Sequence, residues 1–274
     1  MELPIAPQSY QTSPDALIRA VKQVDVILAR MVADETELEV ARAMTNPDRP
    51  TVHLANFAAD VRMGQHHNPN DVLDQIAEHF ENVGTPCHDL VCNDAEWSDP
   101  LAGEAASRGY RPDKRWIYRL NHYVPPARLR TDLQIISGRA AYQQLRHFYH
   151  RAAMDHHQSQ GAAADDLAAT RIDHLDEPRT EVFFGRIDGR PVGVVGLVTS
   201  GQIGVINDVF TEIDSRRQGI AATLLDHALD HCQRALFDQV ILEVADGSEA
   251  IQFIDRFGFE PAISFVRLRL DNRG

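Results

Sequence analysis

Apolar residues recur at helical spacing over residues 13–31, where Leu17, Ala20, Val21, Val24, Ile27, Leu28 and Met31 share one stripe. Ser13 can cap that helix and Pro14 fits its first position. The run TVHLANFA (51–58) predicts a strand, residues 70–83 a helix, CHDLVCN (87–93) a strand, 99–108 a helix and RWIYRL (115–120) a strand. Pro125-Pro126 continues neither a helix nor a central strand, so a seam is expected there, with domains over 1–125 and 126–274.

Beyond the seam, helices are predicted over 138–157 and 162–175. EVFFGRI and VGVVGLVTS follow, and the Asp188-Gly189 between them is a hairpin signal. IGVINDVFT (203–211) predicts a third strand. Ala221, Leu224, Leu225, Ala228, Leu229 and Cys232 then form a helical stripe. QVILEV is a short buried-type strand, 248–257 is helical and stops at Gly258, and AISFVRLRL closes the chain. The halves echo one another: RGYRP (108–112) and FGFEP (257–261) each end a helix and precede a strand, which suggests a duplication.

The segment RRQGIA (216–221) lies between a β-branched strand and the striped helix. A helix N-terminus offers backbone N–H donors without intrahelical partners and a partial positive charge, which suits phosphate. Gly219 allows close approach, Ala221 and Ala222 leave donors uncovered, and Arg216 and Arg217 add charge. No Gly-Lys-Ser/Thr and no G-x-G-x-x-G accompanies the turn, which excludes a Walker loop and a dinucleotide fingerprint.

With its helix–helix–hairpin–strand–turn–helix–strand–helix–strand order, residues 132–270 resemble the GNAT superfamily of acyl-CoA-dependent N-acetyltransferases. The likeness rests on VFTEIDSRRQGIAATLL and VILEVADGSEAIQFIDRFGFEP. The family signature Arg/Gln-x-x-Gly-x-Gly/Ala is met by Arg216, Gly219 and Ala221. The resemblance implies an α/β (α+β) fold: a mixed, mostly antiparallel sheet with helices on both faces, its two central strands splayed around acetyl-CoA. It implies that Val209, Phe210 and Thr211 border the pantetheine arm. Arg216, Arg217, Gln218, Gly219, Ile220 and Ala221 would hold the pyrophosphate, with the Thr223 hydroxyl nearby. The first half reads as a smaller, degenerate GNAT-like unit without a CoA site, or as a helical or mixed domain. Its counterpart turn, DVRMGQHHNPNDV (60–72), has Gly64 but no Arg-x-x-Gly-x-Ala.

The implied chemistry is acetyl transfer from acetyl-CoA to a primary amine, on a small molecule, a peptide N-terminus or a lysine, by direct attack. An alkylammonium must first lose a proton. Candidate bases on the splayed strands are Asp208 and Glu243. Many family members place a Tyr acid four residues before the Gly-Phe pair; here Gly258-Phe259 puts Ile254 there, and Ile254 donates no proton. A CoA-binding sensor or scaffold without turnover therefore stays open. The first two helices of the second half would line the acceptor site, which nominates Tyr142, Arg146 and His150.

Composition narrows this further. A net charge of −13 argues against binding nucleic-acid phosphates, and no apolar run spans a bilayer. Cys87, Cys92 and Cys232 have no metal-type spacing and read as free thiols of a cytoplasmic protein. The pairs His147/His150, His66/His67 and His156/His157 lack an H-E-x-x-H frame, so no metal is expected. Expected partners are an amine substrate and acetyl-CoA, neither nucleic acid nor membrane, with a homodimer left open.

Overall fold

The computed structural model describes residues 12–63, 67–92, 97–156 and 161–271. The first half runs α1 (Pro14–Ala29), β1 (Asp34–Glu37), β2 (Arg42–Thr45), β3 (Phe57–Val61), α2 (Pro69–Val83), β4 (Asp89–Cys92), α3 (Asp99–Ser107) and β5 (Tyr110–Leu120). The second adds β6 (Gln134–Ser137) and α4 (Tyr142–His156), then repeats that order: α5 (Ala162–Asp173), β7 (Thr180–Ile187), β8 (Arg190–Ser200), β9 (Ile203–Thr211), α6 (Ile220–Arg234), β10 (Gln239–Ala245), α7 (Ala250–Ile254) and β11 (Phe259–Leu270).

The strands form one sheet in the order β1-β2-β3-β4-β11-β5-β10-β9-β8-β7-β6. The last strands of the halves change places: β11 lies beside β4 and β5 beside β10. They also pair with each other, antiparallel, from Tyr110↔Leu270 to Leu120↔Phe259. Neither half therefore completes its own sheet. Parallel pairing occurs at β3–β4 and β9–β10, equivalent places in the repeat.

Helices cover both faces. On one, α6 and α7 bury Leu224, Leu225, Leu229 and Ile254 against Val195, Leu197, Ile206 and Leu242. On the same face α2 and α3 bury Val72, Ile76, Phe80 and Leu101 against Leu90, Tyr110 and Leu268. On the other, α4 and α5 pack Leu145, Phe148, Ala168 and Ile172 onto Val182, Phe184 and Val194. The stripe of α1 crosses that face beneath both halves. Leu17, Val21, Val24 and Leu28 meet Ile117, Val198, Ile241 and Phe265. Val26 and Ala29 meet Met44, Phe57 and Val91. Among the described helices none is long and apolar enough to cross a membrane.

The structure departs from the sequence pattern in three places. The four-residue strands β1, β2 and β6 carry no alternating signal, and β1 and β6 lie at the sheet edges. In the TVHLANFA run, His53–Ala55 is a short 3-10 turn and the strand begins only at Phe57. Buried Asn56 explains the turn: its side chain accepts from the Asn46 N–H (2.7 Å) and Thr85 Oγ1 (2.9 Å), and donates to the Arg49 (2.9 Å) and Val52 (3.1 Å) carbonyls. Those four bonds outweigh the strand preference of the flanking residues. Finally, α1 ends at Ala29, which leaves Met31 partly exposed.

Candidate functional site

The centre of the site is a break in the sheet. The parallel pairing of β9 with β10 ends at Ile206↔Leu242, and the strands part beyond it. There β9 carries a bulge, with Asp208 and Val209 opposite the single residue Val195. Asp208 adopts φ 51°, a left-handed conformation uncommon outside glycine. The bulge removes ladder partners from this edge and turns Val209 outward. On the same strand Asn207 Oδ1 and Thr211 Oγ1 are buried without hydrogen-bond partners among the described residues.

The RRQGIA segment follows β9 and opens α6. Arg217 (φ 60°) and Gly219 (φ 82°) are both left-handed, and Gly219 is the helix N-cap. No side chain caps this helix, so its first N–H groups point outward from a positive helix end. Arg216, Arg217, Gln218 and Gly219 are exposed, and Ile220 is buried as the first rung of the helix stripe. The Arg216 Nε donates to the Thr211 carbonyl (3.1 Å) and its guanidinium lies over Phe210. The Thr223 hydroxyl is engaged locally: it donates to Gly219 O (3.0 Å) and accepts from the Arg130 N–H (2.9 Å). Arg130 also donates to Gln218 (3.3 Å), so a cation from the seam segment adjoins the turn. Periodicity around 128–132 gave no sign of this, because only the tertiary path of the seam brings it there.

On the opposite face a pocket of about 280 Å³ opens between α4, α5 and the bulge. It is lined by Tyr149, Ala152 and Ala153 of α4, Leu167 and Arg171 of α5, and Asp208, Val209 and Phe210 of β9. The helical contributions lie at i, i+3, i+4 and i, i+4, a spacing legible in the sequence once the pocket-facing stripe is known. Arg171 forms an ion pair with Asp208 and lies over the Tyr149 ring. The Tyr149 hydroxyl is buried with no hydrogen-bond partner among the described residues, and burial pushes its pKa up to about 12, so it is a neutral donor.

Asp208 is thus at the pocket wall. Glu243 is elsewhere: it is partly buried on the α1 face and bonded to Arg115 Nε (2.7 Å) and Arg267 (2.6 Å). Burial works to raise its pKa, but the two guanidiniums prevail and hold it below the usual value. A carboxylate held ionised by two arginines is a poor proton acceptor. Of the substrate candidates on α4, Tyr142 and Arg146 are exposed, and His150 faces Asp165 of α5 (3.5 Å). None of the three lines the pocket. Sequence reasoning missed Tyr149 and Arg171, which do. Ile254 is buried in the core beneath α6, where it fills volume.

The first half has a matching bulge at Asp60 (φ 53°), held by Arg42 at 3.1 Å. There the strands stay together: β3 and β4 pair beyond the bulge at Val61↔Cys92. The helix that follows is also closed. Asn68 accepts from the Asp71 N–H (3.0 Å), and the Asp71 carboxylate accepts from the Asn68 N–H (3.3 Å). This capping box consumes the donors and puts negative charge where a phosphate would bind. Gly64, His66 and His157 lie outside the described residues, as does most of the segment joining α4 to α5. The described residues hold no group of three His, Cys, Asp or Glu arranged for a metal, and all three cysteines are buried outside any disulfide.

His174 lies just behind Arg171. Burial, with the charges of Arg171 and Arg49, pushes its pKa from the usual 6.5 to about 3. The folded state therefore holds it neutral, and its contribution is present above pH 6.5 and lost as pH falls toward 3. The loss is about 1.4 kcal/mol per pH unit, or about 2 kcal/mol at pH 5. Asp25, raised by burial to about 6, works in the opposite direction. The test is therefore a difference: in urea unfolding, His174→Gln should lose about 2 kcal/mol less than wild type between pH 7 and 5.

Comparison with known proteins agrees with this geometry. Residues 141–259 match the family model described as Acetyltransferase (GNAT) family. No curated protein matches the sequence. Among solved structures, a GCN5-related N-acetyltransferase from Kribbella flavida superposes with TM-score 0.60 at 17% identity, covering 94% of this chain and 96% of that one. A functionally unknown conserved protein from Staphylococcus epidermidis gives TM-score 0.59 at 16% identity, over 87% and 94%. A tandem GNAT protein from the clavulanic acid biosynthesis pathway gives 0.56 at 14% identity, over 97% and 96%. These likenesses show that the chain shares the fold of those proteins over both halves.

Proposed function

Starting from a GNAT acetyltransferase-family domain at residues 141–259, we propose that the protein transfers an acyl group, acetyl in the first instance, from acyl-CoA to a primary amine. One observation carries the reading: an uncapped helix N-terminus with left-handed Gly219 stands beside the parted strands β9 and β10. The residues fit a pyrophosphate. Exposed Arg217 and Arg216 supply charge, Gly219, Ile220 and Ala221 supply backbone donors, and Arg130 adds a neighbouring cation. Val209, Phe210 and Thr211 border the gap in which the pantetheine arm would lie. With the N-terminus of α2 closed and the β3–β4 pair unparted, the described residues hold one such site.

In the reaction an ammonium first loses a proton. The nitrogen then forms a bond to the thioester carbon, and a backbone N–H at the β9 bulge faces the carbonyl oxygen. The C–S bond breaks with its electron pair on sulfur. Of the ammonium's three protons one stays on the amide, one reaches the thiol and one leaves to solution. Asp208 sits where the amine arrives. With Ile254 in the core, the thiolate takes its proton from water.

Two measurements test this. Coenzyme A should raise the unfolding temperature saturably, and acetyl-CoA should release thiol in the presence of an accepted amine. Protection by CoA with no thiol release for any amine would favour the sensor or scaffold reading, which the buried Ile254 motivates. A Gly219→Val substitution forces a β-branched residue into φ 82° and covers the helix end. It should weaken CoA binding roughly 10- to 100-fold by calorimetry, equivalent to about 1.4 to 2.7 kcal/mol. An unchanged affinity would remove RRQGIA as the phosphate cradle.

A further inference from the structure

We infer that the acceptor is a small zwitterionic α-amino acid, held in the α4–α5–β9 pocket with its carboxylate on Arg171 and Tyr149 and its amine beside Asp208. This rests on the acyltransferase reading and names its substrate class. The pocket walls carry one cation, one anion and one neutral donor: Arg171, Asp208 and the Tyr149 hydroxyl. Each is constrained. Arg171 is a guanidinium that burial drives below its usual pKa. Asp208 is fixed by the bulge. Tyr149 is only 4% exposed and its hydroxyl has no partner among the described residues. A buried hydroxyl without a partner costs stability, and such groups collect at sites that a ligand completes.

Charge then selects among amines. A simple alkylamine would leave the free edge of Arg171 and the Tyr149 hydroxyl desolvated and unmatched. A polyamine would bring further positive charge against Arg171. A lysine side chain or a peptide N-terminus has its amine but no carboxylate at the adjacent carbon. An α-amino acid satisfies all three groups at once. Guanidinium presents five donors, so Arg171 can keep Asp208 on one edge and take a carboxylate on another. The order along the wall is also right. Asp208 stands at the bulge, next to the gap between β9 and β10, while Tyr149 and Arg171 lie on the helices behind it. An amino acid so placed presents its nitrogen to the thioester and its carboxylate away from it. Ala152, Ala153 and Leu167 form the remaining lining within about 280 Å³, which suits a short apolar side chain.

The products are an N-acetyl amino acid and free CoA thiol, with one proton released per turnover. The test compares matched acceptors for thiol release from acetyl-CoA: alanine and valine against alaninamide, valinamide, isopropylamine, spermidine and an alanine-led tripeptide. The amino acids should exceed every carboxylate-free acceptor at least 10-fold in kcat/KM. Arg171→Lys and Tyr149→Phe should each raise KM for alanine roughly 10- to 100-fold, and Arg171→Lys should erase the preference over alaninamide. Tyr149→Phe removes only a hydroxyl, so it reads the site even if Arg171→Lys fails to fold. Thermal protection by alanine added to the CoA complex is read in parallel. Equal or better turnover of the amides or amines, or a preference that survives both substitutions, overturns the amino-acid assignment and leaves acyl transfer standing. Alanine protection without thiol release for any acceptor overturns the transferase reading and leaves the pocket as an amino-acid binding site. The absence of both protection and turnover with amino acids overturns the assignment.

Discussion

Replacing Gly258 by alanine should cost about 3 to 5 kcal/mol of folding stability, read by urea unfolding, from backbone strain and overlap together. Gly258 adopts φ 86° at the end of the short helical segment before β11. A Cβ there would overlap the His122 carbonyl oxygen and lie 2.9 Å from its carbon. That backbone has little freedom to withdraw. The Asn121 N–H donates to Gly258 O (3.0 Å) and the Val124 N–H to Phe257 O (3.0 Å). These bonds stitch the seam segment onto the second half. Gly109, its counterpart in the RGYRP/FGFEP echo, supplies the control. It has φ 91°, but a Cβ there would meet only Leu270 Cδ1 at 3.7 Å. Gly109→Ala should therefore cost only the strain of the left-handed backbone, about 1 kcal/mol. Equal effects at the two glycines would contradict the close approach of His122.

Replacing Arg267 by methionine should cost about 3 to 5 kcal/mol near pH 7, because it strands two largely buried carboxylates. Arg267 bonds Asp25 of α1 (2.9 Å) and Glu243 of β10 (2.6 Å) from its place on β11. The chain of charges continues through Arg115 to Asp113, then Arg269 to Asp89. Four carboxylates thus share three guanidiniums, and burial leaves Asp25 with a pKa of about 6. Without Arg267 the folded-state pKa values of Asp25 and Glu243 rise. A raised carboxyl pKa gives stability that is present at low pH and lost as pH rises. The penalty should therefore shrink below about pH 5, and Asp25→Asn in the same chain should recover part of it at pH 7. A pH-independent penalty would mean that lost packing dominates. This network joins α1, β10, β5, β11 and β4, so it fixes the exchanged strands and gives Glu243 a structural role.

The sequence alone was enough to mark most elements, and for a local reason. The stripe of α1, the stripe of α6 and the hairpin at Asp188-Gly189 are set by side-chain period and turn chemistry within a few residues. The helix start at RRQGIA was legible as well, because the left-handed N-cap position calls for Gly219. The short strands β1, β2 and β6 were not, since pairing along the sheet edge, not alternation, makes them strands. The Asn56 turn was missed because its partners, Asn46 and Thr85, are distant in the chain.

The pocket proposed for the acceptor was only half visible. The sequence placed it on the helices after the seam, but helical spacing does not say which stripe faces the sheet. The fold turned Tyr149 and Arg171 inward and left Tyr142 and Arg146 in water. It likewise set Asp208 at a bulge and Glu243 among arginines, although both are single carboxylates on central strands. The exchange of β5 and β11 was invisible for the same physical reason. Two strands of equivalent pattern fit either position locally, and only the long-range register and the buried charges between them choose. Local periodicity determined which segments are helices and strands and where a phosphate turn could form. Tertiary packing decided which strands are neighbours, where they part and which side chains meet in the gap.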